Sequence, residues 1–238
     1  MKLKSKIALA ALALTAGSAA MAQVSYNIGA VSDYRFRGIS QTSTGPAVQG
    51  GIDYAHTSGI YVGAWASNVS WLKDFNGATT GDYEVDAYGG YKGTAGAVGY
   101  DVGFIAYTYP GNNVNPDATT REVYLGLSYG AAAFKYSRSL GNFVAWADSD
   151  GSEYYDLSYG FDLGSGYTLT PHAGYQSVAK NSNSSYSDYA LTLAKDLGKG
   201  LSASVAVMGT DAKTATYTDL KGKKIADSTV VVGIKYTF

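Results

Sequence analysis

From Ser228 to Phe238 the chain alternates strictly: Val230, Val232, Ile234, Tyr236 and Phe238 share one face of an extended segment, and Lys235 falls on the other. A period of two with one face wholly apolar predicts a strand whose apolar face meets a greasy medium. Similar alternation predicts twelve strands: Val24–Gly38, Ala47–His56, Ile60–Trp71, Tyr83–Gly93, Val98–Tyr109, Arg121–Tyr129, Ala132–Leu140, Tyr154–Asp162, Tyr167–Val178, Ser187–Lys195, Leu201–Asp211 and Ser228–Phe238. Their connections alternate in length. Thr57–Gly59, Thr94–Ala97, Gly130–Ala131, Leu163–Gly166 and Asp196–Gly200 are tight. Ile39–Pro46, Leu72–Asp82, Pro110–Thr120, Gly141–Glu153, Ala179–Tyr186 and Ala212–Asp227 are longer and polar. Tight turns on one rim and extended loops on the other describe an up-and-down antiparallel β-barrel, and termini on the same rim require an even number of strands. Closure leaves no sheet edge exposed.

Three features place this all-β barrel in a membrane. Tyr26 and Tyr34, Tyr83 and Tyr91, and Tyr167 and Tyr175 are spaced alike along single strand faces. At about 3.3 Å per residue and a tilt near 40° this separates the rings by roughly 20 Å along the membrane normal, which suits two aromatic girdles around an apolar band. Small or apolar residues lie between them, although Pro171 in mid-strand removes a ladder donor. The last strand, ending on Phe238, resembles the closing strand of bacterial outer-membrane barrels, so Tyr236 and Phe238 are expected to be the signal read by the barrel assembly machinery. At the other end, Lys2, Lys4 and Lys6, the apolar run Ile7 to Ala16 and Ala20-Met21-Ala22 read as a signal peptide over residues 1–22, removed to leave one barrel domain over 23–238. The apolar run is too short for a spanning helix.

Composition narrows the chemistry. Thirty glycines and 22 tyrosines with four prolines suit strands and turns, and the absence of cysteine excludes disulfides and thiolate metal sites. Of 18 basic residues three lie in the leader, leaving 15 against 19 acids, a net charge near −4 that argues against a nucleic-acid partner. Two histidines, His56 and His172, make a zinc site improbable, and no Gly-x-Ser-x-Gly elbow stands before a helix. No cofactor is expected.

With apolar parity facing lipid, the opposite parity lines a lumen. It receives Asp33, Arg35, Arg37, Asp53, Glu84, Asp86, Lys92, Asp101, Glu122, Lys135, Asp156, His172, Asp188 and Lys235. Charges of this kind are costly on a lipid face. Eight acids against five bases suggest a slight preference for cations or neutral polar solutes. Arg35 and Arg37, at the exit of the first strand, are expected either to select carboxylate-bearing solutes by bidentate contacts or to act as a structural clamp, with Asp33, Glu84 and Asp86 as candidate partners.

Ser32-Asp33-Tyr34-Arg35-Phe36-Arg37-Gly38-Ile39-Ser40-Gln41-Thr42, with Pro46 to Gly51, Gly63 to Val69, Tyr83 to Tyr91 and Glu122 to Tyr129, resembles the Gcw-chp family of proteobacterial proteins, also described as TorF-like porins. The resemblance implies an outer-membrane barrel with a porin role, and carries no substrate or catalytic residue. The expected function is passive diffusion of small hydrophilic solutes through a barrel set in outer-membrane lipid, with charge rings and in-folded loops setting selectivity. The alternatives are a non-conducting structural or surface-binding barrel, and an outer-membrane lipid hydrolase using His172.

Overall fold

The computed structural model describes residues 22–238, so the expected leader, all but its last residue, lies outside the described residues. Twelve antiparallel strands close into a barrel. They are β1 Gln23–Val31, β2 Ala47–Ala55, β3 Ile60–Asn68, β4 Tyr83–Ala95, β5 Val98–Thr108, β6 Thr120–Tyr129, β7 Ala132–Ser139, β8 Glu153–Tyr159 with its continuation Phe161–Gly164, β9 Tyr167–Ser177, β10 Tyr186–Gly198, β11 Leu201–Thr210 and β12 Thr229–Thr237. Each strand pairs with its chain neighbours, and the β1–β12 pair closes the sheet with Ile28 opposite Tyr236. Phe238 extends that seam: its N–H donates to the Tyr26 carbonyl at 3.0 Å, and its ring stacks on Tyr26 and Tyr236.

Side chains divide by parity as the alternation predicts. Ile28, Val48, Val62, Val102, Leu125, Leu157, Leu191, Val207 and Val232 are exposed on the outer surface, whereas Asp101, Glu122, Ser137 and Gln176 are buried inside. A polar interior inside an apolar jacket is the reverse of a water-soluble protein and fits a barrel bathed in lipid. Tyr83, Tyr91, Tyr167 and Tyr175 are exposed on that jacket. Among the tight turns, Ser165-Gly166 and Lys199-Gly200 both hold two successive positive φ angles, the two-residue hairpin geometry whose twist matches the flanking strands. Pro171 sits where β8 breaks: the β8–β9 ladder runs to Ser158 opposite His172 and resumes at Phe161 opposite Leu169, so the missing donor falls in the gap.

The first strand is shorter than its pattern suggests. Its last wall bond is Ser32 N–H to the Val232 carbonyl, 2.9 Å, after which the chain leaves the wall and turns into the lumen. Arg35–Phe36 pairs with Ile39–Ser40 in a small hairpin, so Tyr34 is an interior residue and not a girdle residue. Tyr34 packs edge-on against Trp65, and its hydroxyl donates to Glu84 at 2.7 Å. The cause is local: the Asp33 carboxylate accepts from Ser40 Oγ at 2.5 Å and Arg35 Nε at 2.7 Å, which pulls both arms of the hairpin onto one residue.

Candidate functional site

The inward segment, loop L1 (residues 32–46), fills the loop-side half of the lumen. The other loops, L2 (69–82), L3 (109–119), L4 (140–152), L5 (178–185) and L6 (211–228), close over it. Ile39 of L1 packs with Tyr186 and with Tyr217, Ile225 and Ala226 of L6. Val69, Trp71 and Leu72 of L2 pack with Tyr109 and Ala118. Deeper in, Phe36 lies against the wall residues Ile105, Tyr107 and Tyr124. Apolar packing at the loop rim therefore caps a polar lumen.

Polar contacts stitch the cap together. Arg35 donates to the carbonyls of Gly38, Ile225 and Asp227, all within 3.1 Å, and so ties L1 to L6. Lys223 Nζ donates to the Ser43 carbonyl at 2.7 Å. Lys221 Nζ lies 2.5 Å from Asp74 of L2, whose carbonyl accepts from Leu220 N–H. Partial burial works against ionisation of Asp74, but the Lys221 ammonium beside it outweighs that and holds the carboxyl below the usual carboxylate range. A depressed folded-state pKa contributes stability above the unfolded value, about 4, and loses it as pH falls through the folded value. Hydrogen exchange in L6, corrected for intrinsic rates, is therefore expected to stay slow down to about pH 4 and to quicken below it. Asp74→Asn should quicken it already at neutral pH; an unchanged profile in that variant would remove the clasp.

Arg37 occupies the centre. It stands at the hairpin tip with φ +49°, followed by Gly38 at +81°, so the tip repeats the two-residue geometry of the Ser165-Gly166 and Lys199-Gly200 turns. Its Nη2 donates to both Glu122 oxygens, at 2.6 and 2.9 Å, and Nη1 donates to Gln176 Oε1 at 2.6 Å. The guanidinium carbon lies 4.3 Å from the Tyr154 ring centre, with Phe36 and Phe143 also in range. Glu122 is 1% exposed and Gln176 0%, so this is a dry, charge-assisted contact in which one guanidinium nitrogen spans the carboxylate and the other meets the amide. Glu84 and Asp86, expected as partners of the arginines, are not: Glu84 accepts from Tyr34, and Asp86 is buried with its Oδ1 unpartnered. Two turns of parity put them on the right face, but parity says nothing of position around the barrel.

Charge is sorted along the axis. On the loop side the wall itself contributes the acids Glu84, Asp86, Glu122 and Asp188, and the bases there, Arg35 and Arg37, belong to L1. Toward the turn side come the wall bases Lys92, Lys135 and Lys235 among Asp53 and Asp101. Lys92 Nζ is 3.8 Å from Asp101, and Lys135 lies over the Tyr124 ring. His172 is midway, its Nε2 2.9 Å from Asp156 and its Nδ1 3.6 Å from Asp188. It faces the lumen, so it cannot meet a lipid on the outer surface as the hydrolase alternative needs.

Four lumen tyrosines lie flat on the wall over glycines of neighbouring strands. A methyl group added at Gly63, Gly90, Gly103 or Gly174 would strike Tyr88, Tyr61, Tyr124 or Tyr154 respectively. Tyr61 from β3 and Tyr124 from β6 reach toward each other across the two strands between them, where their hydroxyls meet, and Tyr61 also donates to Asp101 at 2.6 Å. Glycine is needed here for close approach, and flat rings narrow the lumen less than upright ones. Sequence reasoning missed these tyrosines and Gln176, Tyr154 and Phe143; a tyrosine and a glycine of the same parity on adjacent strands is the signal that would have found the first group.

A closed twelve-stranded barrel with a polar interior, tight turns on one rim and an inward loop is a porin-type architecture. The chain belongs to the family described as "Bacterial protein of unknown function (Gcw_chp)", which matches residues 15–238. No curated protein matches it. Among solved structures it is similar to the KdgM porin (TM-score 0.59, 11% identity, covering 90% of this chain and 99% of that one) and to the NanC porin (TM-score 0.55, 10%, 90% and 99%). A KdgM porin in complex with disordered oligogalacturonate is similar to the same degree (TM-score 0.57, 10%, 90% and 98%). At these identities the likeness is one of fold.

Proposed function

We propose that the protein is an outer-membrane, porin-like channel for small hydrophilic solutes, and that L1 is its stopper, seated in the barrel described above. The observation that carries this reading is the lining. A closed barrel needs no ionisable interior to be stable, yet Glu84, Asp86, Lys92, Asp101, Glu122, Lys135, Asp156, Asp188 and Lys235 all face inward, and the one base that meets Glu122 arrives on a loop. The loop-side wall, once uncovered, is acidic, which favours cations and neutral polar solutes over anions. Arg35 is assigned no part in selectivity, because its Nε and Nη1 are spent on Asp33 and on L1 and L6 carbonyls and its side chain is buried.

Burial of Glu122 and Gln176 under Arg37 favours a second reading, a permanently closed structural barrel. Liposome swelling separates the two. Vesicles carrying the wild-type protein should swell slowly in small neutral sugars, and a variant in which residues 34–41 are replaced by a short Gly-Ser link should swell at least several-fold faster. A variant that still migrates as a heat-modifiable barrel but gives no faster swelling would establish the closed reading.

A further inference from the structure

The place that Arg37 occupies is built by parts of the molecule other than L1. Glu122 comes from β6, Gln176 from β9, Tyr154 from β8 and Phe143 from L4; only Phe36 travels with the arginine. If L1 leaves, what remains is a buried carboxylate with an amide oxygen beside it, placed to accept from two nitrogens of one planar group, and an aromatic face alongside. Together these match a planar guanidinium better than an ammonium, which has neither two nitrogens to span the carboxylate and the amide nor a stacking plane. On the loop-side half of the wall Glu84, Asp86 and Asp188 are of the sign that attracts a cation and repels an anion, set against the base Lys135, which lies within reach of Glu122.

The backbone adds a separate observation. A two-residue turn with positive φ at both positions favours Asn, Asp or Gly first, and arginine pays a steric penalty there. The turns Ser165-Gly166 and Lys199-Gly200 share this geometry but hold their first side chains out at an exposed rim, whereas Arg37 is held inside with its side chain 7% exposed. A backbone outlier held in place by contacts that one side chain makes points to a role for that side chain.

We propose that the cup filled by Arg37 is a guanidinium receptor, and that solutes bearing a guanidinium group compete with Arg37 for Glu122 and Gln176 and so displace the stopper. The proposal rests on L1 being a movable stopper, but its first test needs no conduction. Arg37→Gly suits the turn and empties the cup; Arg37→Asn, which also tolerates positive φ, serves if the glycine variant does not fold. With full-length protein refolded in detergent, methylguanidine should bind Arg37→Gly saturably by calorimetry, at least ten-fold tighter than methylammonium. It should bind ten-fold more weakly to the wild type, whose cup is filled, and binding should vanish in Arg37→Gly/Glu122→Gln. Equal binding of the two cations, or binding that survives Glu122→Gln, would overturn the receptor. The second arm reads displacement in the wild type: agmatine, but not putrescine, should speed chymotryptic cleavage at Tyr34 and Phe36 several-fold. Binding to the emptied cup without that acceleration would overturn the competition. Positive results in both arms, with the barrel lacking residues 34–41 folded but silent in bilayers, would refute the channel and leave the receptor standing.

Discussion

Gly103→Val is expected to unseat Tyr124 and to destabilise the barrel. A side chain at position 103 would press on the Tyr124 ring and come within 2.8 Å of the Gly89 carbonyl oxygen, and the β4 backbone cannot give way without breaking the β4–β5 ladder. The ring must therefore rise from the wall. Its hydroxyl then leaves Tyr61, and the shared contact with the buried Asp101 is disturbed. Overpacking costs about 1–3 kcal/mol, and each buried polar group left unsatisfied about 1–3 kcal/mol more. The heat-modified transition on gels should fall markedly in temperature. Tyr124→Ala in the same background removes the clash, so the double variant should be more stable than the sum of the two single losses allows. Strict additivity would mean that Tyr124 does not lie on Gly103.

Glu122→Ala should release L1. Removing the carboxylate leaves the Arg37 guanidinium inside the barrel with Gln176 as its remaining polar partner, and breaking a buried pair from one side costs about 3–5 kcal/mol. The hairpin has an escape that a core residue lacks, since it can swing out to water at the loop rim. The expected result is thus a wall that stays folded with L1 cut readily by chymotrypsin at Tyr34 or Phe36. Arg37→Gly/Glu122→Ala removes both charges and should restore much of the protection through the Ile39 cluster with L6. An L1 equally protected in wild type and Glu122→Ala would show that the ion pair does not hold it.

The wall of this barrel is legible in the sequence because lipid outside and charge inside force every strand to alternate, and a one-residue slip would turn its charges outward. The same logic hides the stopper. Tyr34 continues the parity of Tyr26, and Arg35 and Arg37 continue that of Asp33, so the pattern runs on unbroken although the chain has turned inward. An inward hairpin also has an apolar and a polar side, and alternation cannot tell it from wall. What was available was the x-Gly pair Arg37-Gly38, the same two-residue signal that marks the turns at Gly166 and Gly200, masked by an arginine where the geometry favours Asn or Gly. Pairing was legible only in part. Glu122 and Arg37 share the lumen, but which acid meets which base depends on depth and on position around the barrel, which brought in Gln176 and Tyr154 and left Glu84 and Asp86 apart from the arginines.

The central claim, a polar conduit stoppered by L1, is tested most directly by single-channel recording in planar bilayers under a salt gradient, comparing the wild-type barrel with the variant whose residues 34–41 are replaced by a short link. The account predicts a wild type that is closed for most of the record, and a variant with steady open steps whose reversal potential shifts toward cations, because Glu84, Asp86, Glu122 and Asp188 then face the path with no arginine among them. A folded, heat-modifiable variant that passes no current, or one that opens with anion preference, would contradict it.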